Sequence, residues 1–394
     1  MKKTGEKRIR GIEKNSIIVL VIAAVVFLCV FFRIYSADIL NGAGEIFSPY
    51  GEEKVEFEKA AVTEMLNENM EKDKVADSAY TGSQEFLVIV KSGRYKGESM
   101  IVKNYFGPNY GGPVSEGDSV ILTIKTYADG GHSATVYEYN RIPILAVFLI
   151  LFFAAIILIG GRTGLKSLIG LIVTAVCLFM ILIPLLLKGA PTVFTTFLTC
   201  VYIALVSFTI LGGVHRKTIS AFLGTTAGVF FAMLFGLLVQ HFARIDGLRM
   251  EDAEPLLQLK YAGVPIGLRG LLAAGIIISA LGAVMDVAMS ISSALEEVHA
   301  ANPSMPGKEL FRSGMNIGRD LAGTMTNTLI LAFLGSEFTL IIFLYARGLS
   351  FYHLFSTAFV ALETISGLSA SIGMILAIPL TALISSKLIS LKKK

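Results

Sequence analysis

Asp286 is the residue of this 394-residue chain with the strongest claim to chemistry, because it stands alone in the apolar run Leu281-Gly-Ala-Val-Met-Asp-Val-Ala-Met-Ser290. An ionisable group at membrane depth costs about 2.5–3.5 kcal/mol on insertion and survives where it faces protein or water. Ser279, Asp286, Ser290, Ser293 and Glu297 follow one another at steps of 7, 4, 3 and 4, which places them on one helical stripe. The next apolar run opens with Asn316-Ile-Gly-Arg-Asp-Leu-Ala-Gly-Thr-Met-Thr-Asn327, in which Asn316, Asp320, Thr324, Asn327 and Thr328 again share a face. Gly323 leaves room for a close neighbour. Two adjacent antiparallel helices of this kind can bury their stripes together and line a cavity with carboxylate, amide and hydroxyl oxygens, which suits a proton or a hard cation. The last run adds Glu363-Thr-Ile-Ser-Gly-Leu-Ser-Ala-Ser371 and then Pro379, which interrupts the backbone ladder. The expected ion or substrate pathway is therefore Asp286, Ser279, Ser290, Ser293, Asp320, Thr324, Asn327 and Glu363.

Each of these has a plainer reading. Ser, Thr and Gly are ordinary glue between membrane helices, and Asp320 can be a first-turn carboxylate neutralised by Arg319. Glu296 and Glu297 sit near the cytoplasmic edge, and His215, His241 and His299 fall at span ends where water solvates them. For Asp286 the plain reading is hardest, since about ten residues, roughly 15 Å of helix, separate it from Glu296. Catalytic signatures are missing: there is no P-loop, His-Glu-x-x-His, Gly-x-Ser-x-Gly or cysteine pair with ligand spacing. No catalytic residue or cofactor is expected, no metal is assigned, and the sequence weighs against an enzyme.

The elements that must hold these residues are membrane spans. Hydrophobic residues make up 54% of the chain and charged ones 16%, the mean hydropathy is +0.69, and the net charge is only +4. This excludes a nucleic-acid binder and a disordered chain, and Cys29, Cys177 and Cys200 each lie in an apolar run rather than a disulfide framework. A span needs about 20 mostly apolar residues. Eight runs qualify. The first, Ile17 to Ile34, follows a basic segment and is expected to be an anchor rather than a cleaved signal. The others start near Pro143, Leu168, Val193, Ile219, Leu268, Leu321 and Gly367. With the N-terminus inside, inward segments carry 17 Lys/Arg and the short outward loops six, so both termini are expected in the cytoplasm. The depth of residues 346–366 is left open.

The fold class expected is an α-helical membrane bundle of about eight spans with a small β-rich extracytoplasmic domain between the first two. The domain limits are a basic N-terminus at 1–16, an anchor at 17–36, the β-rich module at 37–141, a seven-helix domain at 142–390 and a basic tail at 391–394. In the module, Phe86, Val88 and Val90, then Met100 and Val102, then Val120, Leu122 and Ile124 alternate as half-buried strands do. Strand count and spacing suggest an OB-like or SH3-like barrel. Tyr95, Tyr105, Phe106, Tyr110 and Tyr127 could form a ligand surface, although core and strand roles account for aromatics as well. His132 has no neighbouring metal-ligand set.

The runs Gly282-Ala-Val-Met-Asp-Val-Ala-Met-Ser-Ile-Ser-Ser-Ala-Leu-Glu296 and Gly318-Arg-Asp-Leu-Ala-Gly-Thr-Met-Thr-Asn-Thr-Leu-Ile330 resemble the YibE/F family of bacterial multi-pass membrane proteins. The likeness extends over most of the chain, through Gly117-Asp118, Arg141, Pro184, Gly189 to Pro191 and Gly373 to Pro379; Met289 departs from an aliphatic residue in the pattern. It implies the topology and draws attention to Asp286, Asp320, Asn327 and Glu363, without a substrate. The function expected from the residues is passage of an ion or small solute through a polar cavity around Asp286. The competing readings are an envelope scaffold or signalling protein whose outer domain binds a partner, and an intramembrane enzyme. The expected surroundings are the lipid bilayer and a small ion or solute, with no nucleic acid.

Overall fold

The computed structural model describes residues 16–31, 54–74, 76, 79–127, 131–245 and 253–390. The basic segment 1–15, residues 32–53 and the tail 391–394 lie outside the described residues. The chain divides into two compact units, Leu40–Ala155 and Met1–Ile39 with Ile156–Lys394.

In the first unit, β1 (Lys54–Lys72), β2 (Tyr80–Val90), β3 (Ser99–Phe106), β4 (Ser119–Thr126) and β5 (His132–Tyr139) close a barrel in the order β1-β2-β3-β5-β4. All pairings are antiparallel except β3 with β5, which meet in parallel at Lys103 and Thr135. A parallel pair cannot be joined by a tight turn; β4 supplies the crossover, and the order is that of the OB-like alternative. Burial alternates strictly along β3, and Phe86, Val88, Val90, Val102, Val120, Leu122 and Ile124 form the core. Thus every strand alternation in the sequence points the expected residues inward. Two buried amides hold the long loop after β3. Gln84 Nε2 donates to the Val114 carbonyl at 3.0 Å while its Oε1 accepts from Val114 N–H at 2.9 Å, and Asn104 Nδ2 donates to the Gly112 carbonyl at 2.9 Å.

The second unit is helical. α1 (Ser16–Phe31) is tied to the bundle by Tyr202 Oη, which donates to the Ala23 carbonyl at 2.8 Å, and by Val214 N–H, which donates to Ser16 Oγ at 2.9 Å. α2 (Ile142–Cys177) begins in the first unit and breaks at Gly161, whose φ of 53° and ψ of −129° are not helical. Beyond the break, Gly164 packs on the Ile156 carbonyl. In an unbroken helix those residues would stand about 12 Å apart, so the chain folds back, and the runs starting near Pro143 and Leu168 are separate arms. A π turn, Leu178–Leu182, leads into α3 (Ile183–Leu187). Then follow α4 (Thr192–Gly212), α5 (Arg216–Phe242), α6 (Ala253–Tyr261), α7 (Leu271–Ala301), α8 (Gly307–Ser336), α9 (Phe338–Ala346), α10 (Phe351–Ser356) and α11 (Ala358–Ser390).

Among the described residues five helices are long and apolar enough to cross a membrane, and six if α8 and α9, bent by 64°, make one span. The difference from eight runs lies in α1, which is shorter, in 142–187, which counts once, and in the α8–α9 break. The heart of the bundle is α5, α7 and α11. A Cβ added at Gly228 would lie 2.7 Å from Ala377 Cβ and Val284 Cγ1, and one at Gly373 would lie 2.5 Å from Ala232 Cβ. Small residues thus let the backbones touch, as membrane helices require when no water is present to drive them together.

Candidate functional site

Packing contacts fix which polar residues share a depth. Gly314 of α8 lies against Leu295 of α7, and Gly318 against Ile291, so the two helices run antiparallel. Continuing by one turn brings Asp286 level with Gly323, and so to about the same height as Asp320, Thr324 and Asn327. The two polar segments therefore share a height. Their faces, however, do not close on each other. Asp286, Ser290, Asp320, Thr324 and Asn327 are exposed, Ser279 and Ser293 are half-buried, and the opposite side of α7 carries the buried Val284, Val287, Ala288, Ile291 and Leu295. Cβ atoms added at Gly275, Gly282 or Gly323 would meet nothing within 4 Å.

Helix geometry explains the outcome. The large apolar residues of α7 pack toward α5, α8 and α11, and a stripe about 180° away must face outward. Hydroxyls along it bond to their own helices: Ser279 Oγ donates to the Ile276 carbonyl at 3.1 Å, and Thr328 Oγ1 to the Thr324 carbonyl at 3.0 Å. Arg319 Nη1 donates to Asn316 Oδ1 at 3.3 Å, so its guanidinium turns to the amide rather than to Asp320.

Glu363 belongs to a different depth. Gly318 of α8 packs on Ile378 of α11, and a Cβ added at Gly367 would lie 3.2 Å from the Phe333 ring. That register sets Glu363 opposite Glu337, fourteen residues or roughly 21 Å along α8 from Gly323. The three helices therefore do not converge on Asp286. Glu337 and Glu363 instead line one cavity of about 170 Å³, walled by Phe333, Leu340, Ile341 and Leu368. Glu337 is the joint between α8 and α9 (φ −96°, ψ 12°), with its N–H still donating to the Phe333 carbonyl at 3.3 Å. Two carboxylates facing one apolar space can share a proton or hold a cation between them. The sequence reading passed over Glu337. The available signal was Gly335-Ser336-Glu337, a polar triplet between Leu329–Leu334 and Phe338–Leu344. No group of three or more metal-ligating side chains occurs among the described residues.

The barrel has a cleft of its own, about 360 Å³, lined among others by Asn104, Tyr105, Tyr110, Tyr137, Tyr139 and Arg141. Of the aromatics singled out from the sequence, Tyr105 and Tyr110 reach this cleft, whereas Tyr95 and Phe106 are buried. Tyr127 lies beyond β4 and shares a 3.0 Å hydrogen bond with Ser133 Oγ. His132 packs against the Tyr95 ring, 5.3 Å between centroids.

A family model described as YibE/F-like protein matches residues 148–391, from within α2 to the end of α11, and leaves α1 and the barrel outside. No curated protein and no solved structure matches the chain.

Proposed function

Since the chain belongs to the YibE/F-like family and carries several long apolar helices, it is a membrane protein, and we propose that it passes a proton or small cation across the bilayer. The observation that carries this reading is the pair Glu337 and Glu363, brought from two elements to one apolar cavity at a broken helix. Interrupted spans are where membrane transporters place ion sites, because the freed backbone and side-chain groups can face a cavity instead of lipid. Asp286, with Ser279, Ser290, Ser293, Asp320, Thr324 and Asn327, supplies a second polar station about 21 Å of helix away.

The topology proposed with it has eight crossings: α1, the two arms of 142–187, α4, α5, α7, the bent pair α8–α9, and α11. Both termini face the cytoplasm of a bacterial cell, as the Lys/Arg asymmetry favours. Flux in proteoliposomes tests the function. Under imposed proton and sodium gradients the protein should pass one of these ions. Glu363→Gln and Asp286→Asn should each lower the rate at least about tenfold, a loss of roughly 1.4 kcal/mol in barrier stabilisation, while the variants elute as folded protein. A wild-type protein that passes no cation under any gradient overturns the proposal. The reading that then takes its place is an envelope protein whose outer domain binds a partner, which the tyrosine-lined cleft of the barrel supports.

A further inference from the structure

The barrel is joined to the first arm of α2 by a short junction after β5. Only Asn140 and Arg141 separate Tyr139 from Ile142. The junction is pinned by hydrogen bonds: Asn140 N–H donates to the Ser119 carbonyl at 2.9 Å, Asn140 Nδ2 to Ser119 Oγ at 2.9 Å, and Ile142 N–H to Asn140 Oδ1 at 3.3 Å. Residues 142 to 160 are uncharged and helical up to the break at Gly161, with Arg162 just beyond. At 1.5 Å per residue that arm is about 28 Å long, against a hydrocarbon core of about 30 Å. The arm has no slack. An arm of that length, if it crosses, sets Ile142 at the hydrocarbon boundary, and Tyr139 follows within about 10 Å of chain.

Tyr105, Tyr110 and Tyr137 are 60%, 63% and 61% exposed, although each has an apolar ring that water solvates poorly. Rings with a hydroxyl at one end are favoured at the headgroup level, where the ring meets acyl carbon and the hydroxyl meets water. Arg141, one residue before α2, donates its guanidinium N–H to Glu138 Oε2 at 2.7 Å, and in the same arrangement it would meet the lipid phosphates. We infer that the tyrosine cleft of the barrel seats in the headgroup layer of the bilayer, so that the barrel is a membrane-surface module and not a domain held free in solution.

The chain contains no tryptophan, so a single Tyr→Trp substitution gives an unambiguous probe. Tyr137→Trp reports on the cleft. Tyr127→Trp is the control, because β4 and β5 pair from Val120 and Tyr139 to Thr126 and His132, placing position 127 roughly 20 Å further from the junction. In proteoliposomes, Y137W emission should be blue-shifted relative to Y127W and quenched at least about twofold more by lipids brominated near the headgroup. Soluble acrylamide should show the reverse order. Y105W and Y110W probe the same cleft if Y137W does not fold. Equal acrylamide quenching at both ends, with no effect of brominated lipid on any cleft variant, overturns the inference. A cleft signal that responds to soluble glycan and not to brominated lipid overturns it too.

Discussion

In the barrel, Phe86, Val88, Leu122 and Ile124 point inward while their strand neighbours face outward; the helical bundle also buries large side chains such as Ile276, Ile291 and Leu295, yet it leaves others, Leu158, Ile159, Phe179 and Phe194 among them, exposed. Its closest helix approaches fall to Gly228, Gly373, Ala232 and Ala377. The two regions use similar residues under different solvents. Water drives the barrel's apolar surface inward, whereas lipid is as apolar as leucine and helices gain from close backbone approach instead. Exposure therefore means different things in each. An exposed leucine on the bundle is ordinary, and an exposed Asp286 is the anomaly, because a carboxylate at membrane depth is costly unless water or protein meets it.

Substitutions can break this contrast, beginning with the largest effect. Phe86→Ala should remove about 3–5 kcal/mol from the barrel, read as faster amide exchange along β2 and β3 in the reconstituted chain; a loss below about 1 kcal/mol would mean that this ring does not close the core. Gly228→Ala should cost about 1–3 kcal/mol, since one methyl overpacks Ala377 and Val284. Its measure is a lowered thermal midpoint of the detergent-solubilised protein with the barrel unaffected. Gln84→Leu should cost a comparable or smaller amount, about 1–3 kcal/mol, by leaving the buried Val114 N–H without its acceptor. Here the loop after β3 loses exchange protection before the strands do.

The smallest effect sharpens the comparison most. Gly282→Ala adds a methyl to open space, so helix propensity alone should decide the outcome and stability should rise by up to about 1 kcal/mol. A drop of more than 1 kcal/mol in membranes, absent in detergent, would show that the Asp286 face is packed against another surface.

Much of this was legible in the chain. The alternations through Phe86–Val90 and Val120–Ile124 announce strands because one barrel face is wet, and long apolar runs announce spans because the bilayer has a fixed thickness. β1 was not read, because its 19 residues are mostly polar, and register shifts between Val62 and Glu64 and between Met65 and Asn67 break its alternation. The stripes containing Asp286 and Asp320 were visible from spacing, and their common depth follows from adjacent antiparallel helices. That they face outward was not visible, since spacing states which residues share a face and not what that face meets. Glu363 stood out from the sequence as a charge near an apolar run; that it shares a cavity with Glu337 was not visible.

Sequence alone determined quantities that sum along the chain: how many residues are oily enough for hydrocarbon, where charge interrupts them, and which side chains share a helical face. Tertiary structure decided what depends on two segments at once. The closure of β4 onto β1 and the meeting of Glu337 with Glu363 rest on contacts between residues distant in sequence, and the reversal at Gly161 on one backbone conformation that brings Gly164 back onto Ile156. Their geometry is set by a few glycine approaches and one bent joint, which hydropathy and periodicity do not encode.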